Sequence, residues 1–142
     1  MTRFSIALAS ALALALPAAA QAGPVSVELS GLRGGGTLYV QLQTRAQFLG
    51  GDRVVGRIIE APAAGALRVD LGEVPAGDYA VSVWHDFNGN SRMEIDPTAA
   101  AAPDGWAMRN GEALRARPEF DQVMLAVPSA GASIPLALTY GR

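Results

Sequence analysis

Gly77-Asp78-Tyr79-Ala80-Val81-Ser82-Val83-Trp84-His85-Asp86 decides the fold, because its side chains alternate with period two over a full strand length. Tyr79, Val81, Val83 and His85 fall on one face, and Ala80, Ser82 and Trp84 on the other. The same alternation recurs on both sides of this segment. Upstream, Val25, Val27 and Leu29 alternate with Ser26, Glu28 and Ser30, and Leu38, Val40 and Leu42 with Tyr39, Gln41 and Gln43. Val54–Glu60 is a third apolar stretch, and Leu67, Val69 and Leu71 alternate with Arg68 and Asp70. Downstream come Val123, Leu125 and Val127, then Ile134, Leu136, Leu138 and Tyr140. Helical periodicity is hard to find. About seven strands with Gly and Pro punctuation predict an all-β, antiparallel, immunoglobulin-like sandwich.

The connections carry turn chemistry. Pro62 and Gly65 bracket one turn, and Val74–Asp78 forms another in which Pro75 fixes φ and Gly77 is free to take φ > 0. From Asp96 to Pro118 the alternation fails, and three prolines, two glycines and the run Ala99–Ala102 predict one long loop, pinned by Trp106, Met108 and Phe120. The strand faces bearing Glu28, Gln41, Gln43 and Arg68 read as polar and exposed.

The amino end reads as a targeting segment. Arg3 precedes the apolar run Ile6–Leu16, Pro17 breaks it, and Ala20-Gln21-Ala22 has the small-x-small form of a signal peptidase site. The run is short for a spanning helix, which needs roughly 20 apolar residues. The expectation is cleavage of residues 1–22, leaving residues 23–142 as a single domain in the periplasm or outside the cell. About 120 residues suffice for one core and not for two. With no cysteine among the 142 residues, that domain is held by apolar burial without disulfides. The same absence argues against a thiol enzyme, a zinc-thiolate site or a redox role. A net charge of −2 gives no footprint for nucleic acid or an anionic membrane surface, and a monomer is the default.

Directly after the central strand, Asp86, Asn88 and Asn90 place side-chain oxygens at every second position, the opening of a calcium loop. Arg92 would add its backbone carbonyl, and Glu94 or Asp96 a closing carboxylate. Counted from Asp86, position twelve is Pro97, so an EF-hand is rejected and a shorter calcium loop is what remains. The same residues also suit an Asx-turn loop bonded to its own backbone without a metal. Both alternatives stand.

His85, the only histidine, faces inward by parity and suits a structural role at the end of its strand. A small hydrolase built on His85 and Asp86 is one alternative, although no nucleophile elbow, triad partner or phosphate loop accompanies it. Trp84, on the opposite face, and Trp106, in the long loop, are candidates for ligand contact. They support a carbohydrate-binding module as a second alternative, against the commoner use of tryptophan as a core or loop anchor. Arg109, Arg115 and Arg117 read as a solvated loop face. The favoured reading is a non-enzymatic binding or accessory module of the cell envelope.

Four ordered motifs, Pro75-Ala76-Gly77-Asp78-Tyr79-Ala80-Val81, His85-Asp86-x-Asn88-Gly89-Asn90, Pro103-Asp104-Gly105-Trp106-Ala107-Met108-x-Asn110 and Pro118-Glu119-Phe120-Asp121, resemble the exported bacterial family called domain of unknown function 2141. The resemblance covers roughly Val25 to Tyr140. It implies an exported, periplasmic, transthyretin-like β-sandwich with no established activity. Two places depart from that family's pattern: Ser91 stands where glycine is usual, and Ala99–Ala102 replaces a short Gly-containing stretch. A serine in a position that wants φ > 0 costs on the order of 1 kcal/mol.

Overall fold

A computed structural model describes residues 21–94 and 103–141. Nine strands occur among them: β1 (Ala22–Leu32), β2 (Thr37–Gln43), β3 (Val55–Glu60), β4 (Gly65–Pro75), β5 (Gly77–Asp86), β6 (Gly105–Ala107), β7 (Leu125–Val127), β8 (Ala132–Ala137) and β9 (Thr139–Tyr140). A single 3-10 turn, Gly111–Ala113, and a one-turn helix, α1 (Phe120–Val123), complete the list. The all-β class expected from the alternation is the class found. The expected signal segment lies outside the described residues up to position 20, and Ala22 opens β1.

The strands form two sheets. The smaller has the order β4-β1-β8, the larger β3-β2-β5-β6-β9, with β7 paired to the start of β5. Their inner faces meet in one core, in which Val25, Val27 and Leu29 of β1, Val69 and Leu71 of β4 and Ile134 and Leu136 of β8 pack with Leu38, Val40, Leu42, Val81 and Val83. Leu38, Val40 and Leu42 have no exposed surface. Burying each such side chain contributes about 1.5–3 kcal/mol. Every one of these inward residues is on the face that the alternation predicts.

Four expectations need correcting. The sandwich is not purely antiparallel, because β8 runs parallel to β1, with Val27 beside Ile134. Val123 does not belong to a strand: it ends α1, which a reciprocal capping box between Glu119 and Gln122 starts, and the strand begins two residues later at Leu125. The long loop is not structureless, since β6 and the 3-10 turn interrupt it; Ala99–Ala102, the insertion noted above, lies outside the described residues. Gln43 is not a surface residue. It is 2% exposed, and its amide donates to the carbonyls of Gln47, Gly50 and Asp52, clamping the β2–β3 connection.

The segment after β6 does not leave the body. Leu114, Phe120 and Val123 fold back onto Ala80, on the outer face of β5, and form a second apolar cluster with Phe48, Trp106, Met108 and Met124 at its margin. The larger sheet is thereby covered over the start of β5 and left open over Ser82 and Trp84.

Candidate functional site

Strand register determines what lines that opening. Tyr39 pairs with Ile58 on one side and with Trp84 on the other, and Trp84 pairs with Trp106. One transverse row, Ile58-Tyr39-Trp84-Trp106, therefore crosses four strands on the outer face, over about 14 Å at the usual strand spacing. The rings of Tyr39 and Trp84 are stacked, with centroids 4.7 Å apart and planes 14° from parallel. Trp106 lies against Gly111, where a Cβ would come within 2.9 Å of the indole. Above this row is a cleft of about 580 Å³ lined by Tyr39, Trp84, Trp106, Met93, Met108 and Leu114 among others. Such a volume falls in the range of small-molecule sites. Leu49, also in the lining, has φ of +56°, a conformation that costs a residue with a Cβ about 1–2 kcal/mol. The outer face thus carries an apolar cleft where the alternation suggested polar surface.

The Asp86 loop borders the cleft wall. Asp86 is 1% exposed, and its two oxygens accept the backbone N–H groups of Asn90 at 3.2 Å and Ser91 at 2.8 Å. Asn88 Oδ1 accepts from Asn90 N at 3.1 Å, and Asn90 Oδ1 from Arg92 N at 2.8 Å, which are Asx turns. Glu94 Oε2 gathers the amide nitrogens of Asn88 at 2.8 Å and Asn90 at 3.0 Å. The polar tips of Asp86, Asn88, Asn90 and Glu94 do converge, but the two carboxamides offer nitrogen to Glu94, while their oxygens hold the backbone. As built, the loop is the self-bonded form of the two alternatives. A cation would fit the number and types of donors, using the second lone pair of each oxygen, only after those carboxamides turned. Asp96 lies outside the described residues, and among those residues no three His, Asp or Glu side chains are grouped as metal ligands. Ser91 takes φ of +58°, the conformation that its position in the loop demands.

A carboxylate that the motif reading passed over joins loop and cleft. Asp104, 1% exposed, accepts the Trp84 indole N–H at 2.9 Å and the Glu94 backbone N–H at 2.9 Å through Oδ2, and the Phe87 N–H at 3.2 Å through Oδ1. It stands in Pro103-Asp104-Gly105, directly before β6. The signal was the acidic residue inside a motif quoted for its resemblance alone.

His85 is fully buried. Nε2 lies 2.7 Å from the Gly35 carbonyl, which can only accept, so that nitrogen carries the proton; Nδ1 then accepts the Tyr140 hydroxyl at 2.7 Å. The Tyr140 oxygen in turn accepts the Arg33 N–H at 3.0 Å. Both ring nitrogens are spent on tying the β1–β2 turn and β9 to β5. Burial holds the Tyr140 hydroxyl above the usual phenol range, opposed by the Arg33 N–H and charge. Gly36 has φ of +65°, and a Cβ there would meet Asp86 O at 2.3 Å, so the turn under His85 admits only glycine. The three arginines of the loop diverge: Arg109 donates to Met124 O, and Arg115 to Glu112 O at 2.8 Å and Leu114 O at 2.9 Å, while Arg117 lines the cleft.

A family described as "Uncharacterized protein conserved in bacteria (DUF2141)" matches residues 27–134, more than half of the chain. No curated protein and no solved structure matches.

Proposed function

The chain belongs to the DUF2141 family of uncharacterized bacterial proteins, and from that premise we propose that it is an exported, non-enzymatic binding module of the cell envelope whose ligand enters the cleft on the outer face of the larger sheet. The observation that carries this reading is the cleft itself, with both of the chain's tryptophans in its wall. Leu49 supports it, because a strained backbone at a cleft rim is a cost that core packing does not require. A mainly apolar ligand suits the lining better than a sugar. Sugars stack on open aromatic faces, whereas Tyr39 and Trp84 cover each other and Gly111 lies against Trp106. The hydrolase alternative has less support, since His85 has no free nitrogen to take a substrate proton. The test is a titration with 1-octanol, read by tryptophan fluorescence. A saturable change in emission is expected, and a flat or non-saturating response contradicts the proposal.

For the loop we propose calcium as a brace, held by Asp86, Asn88, Asn90, the Arg92 carbonyl and Glu94 or Asp96. What favours it is a pair of buried carboxylates, Asp86 and Asp104, without a salt bridge among the described residues. Buried charge of one sign stabilised only by N–H donors is a setting in which a divalent cation gains. Through Asp104 the brace would reach the indole of Trp84.

A further inference from the structure

The cleft's charge selects among apolar ligands. Among the described residues its lining contains no carboxylate and a single cation, Arg117, in a chain with more acidic than basic residues. Arg109 and Arg115 spend their guanidinium groups on main-chain carbonyls, whereas Arg117 makes no hydrogen bond or ion pair among the described residues. It is exposed at the cleft beside Ala116 and Pro118, so its fork is open to a partner. The rest of the described wall is uncharged and mainly apolar, with Gln41, Gln43 and Ser82 as its polar members: Met93 and Met108 are unbranched thioethers that adapt to a flexible chain, and Trp84, Trp106 and Leu114 supply fixed area.

We infer that the cleft takes a small amphiphile with an apolar body lying along Trp84 and Trp106 and a single carboxylate paired with Arg117. The inference rests on the cleft reading and adds the ligand's class and polarity to it. Charge complementarity carries it: one positive group in a cleft whose other described lining residues are uncharged and mainly apolar matches a monocarboxylate, opposes an ammonium and is indifferent to an alcohol. Because Arg117 is solvated, the preference is modest, about threefold to fivefold, and it shrinks as salt rises.

The experiment compares octanoate, 1-octanol and octylammonium at neutral pH and low ionic strength, read by tryptophan fluorescence on the unaltered protein, Arg117→Gln and Arg109→Gln. Octanoate is expected to bind about threefold to fivefold more tightly than octanol, with octylammonium weakest. Arg117→Gln brings octanoate down to the affinity that octanol shows for the same variant, while Arg109→Gln leaves the order intact. Octanol binding as well as octanoate, or an advantage that survives Arg117→Gln, overturns the carboxylate inference and leaves the cleft reading standing. Absence of saturable binding by all three overturns both.

Discussion

The indole N–H of Trp84 and the backbone N–H of Glu94 meet on one oxygen of Asp104, each at 2.9 Å. A single buried carboxylate therefore joins the wall of the cleft to the end of the Asp86 loop. Asp104→Ala strands these donors and the Phe87 N–H, and orphaning a buried donor costs about 1–3 kcal/mol. Because Phe87 and Glu94 lie near solvent, the expected net loss is about 2–4 kcal/mol by urea denaturation, with Trp84 emission shifted to the red. A loss below about 1 kcal/mol would show that the junction is not a structural tie.

Ser91 already adopts φ of +58°, and only its backbone N–H bonds to Asp86. Ser91→Gly relieves the left-handed strain at the cost of a freer unfolded chain. The expected balance is a gain of roughly 0.5–1 kcal/mol and a rise of a few degrees in melting temperature. A lower melting temperature would contradict the assignment of strain to this position.

Tyr140 sets an alkaline limit. Desolvation holds its hydroxyl above the ordinary 10.0, so the folded state keeps the proton that the unfolded chain gives up. The stability is complete below pH 10 and falls as pH rises through the higher folded value. Tyr140→Phe should lower stability at neutral pH by about 1–3 kcal/mol, through the lost bonds to His85 and to the Arg33 N–H, and flatten this alkaline decline. An unchanged alkaline limb in the variant would place its origin elsewhere.

Calcium bound at the weak affinity of extracellular modules, with Kd of about 10⁻³ M, would at about 10 mM stabilise the fold by roughly 1.4 kcal/mol. The expected result is a higher melting midpoint with calcium than with chelator, a smaller effect of magnesium, and loss of the difference in Asp86→Ala and in the milder Glu94→Gln. Identical midpoints with calcium and chelator would leave the Asx-turn network as the whole account of the loop.

The core was legible because a strand with one wet face writes its parity into the sequence: Val25, Val27, Leu29, Leu38, Val40, Leu42, Val81, Val83 and His85 all point where alternation puts them. Pairing was not legible, since nothing local records that β8 lies parallel to β1. The strand β6, three residues long, is too short to show a period, and the alternation from Ile134 to Tyr140 reads as one strand although the chain divides it between β8 in the smaller sheet and β9 in the larger. The Asp86 loop was read from its spacing alone, but Asp104 is 18 positions beyond Asp86 in sequence and reaches the loop only through the pairing of β6 with β5. The cleft was hidden for the same reason. Tyr39 and Trp84 looked like isolated residues on two outward faces until the register of β2 on β5 set them side by side.

The central claim is that ligand occupies the cleft bounded by Tyr39, Trp84 and Trp106. An ¹H–¹⁵N correlation spectrum tests it most directly, because the chain has two tryptophans and therefore two indole N–H signals, both from the cleft wall. Titration with octanol or octanoate should move both indole signals along saturating curves with one common midpoint. Two indole signals that stay fixed while backbone signals elsewhere shift would contradict the account.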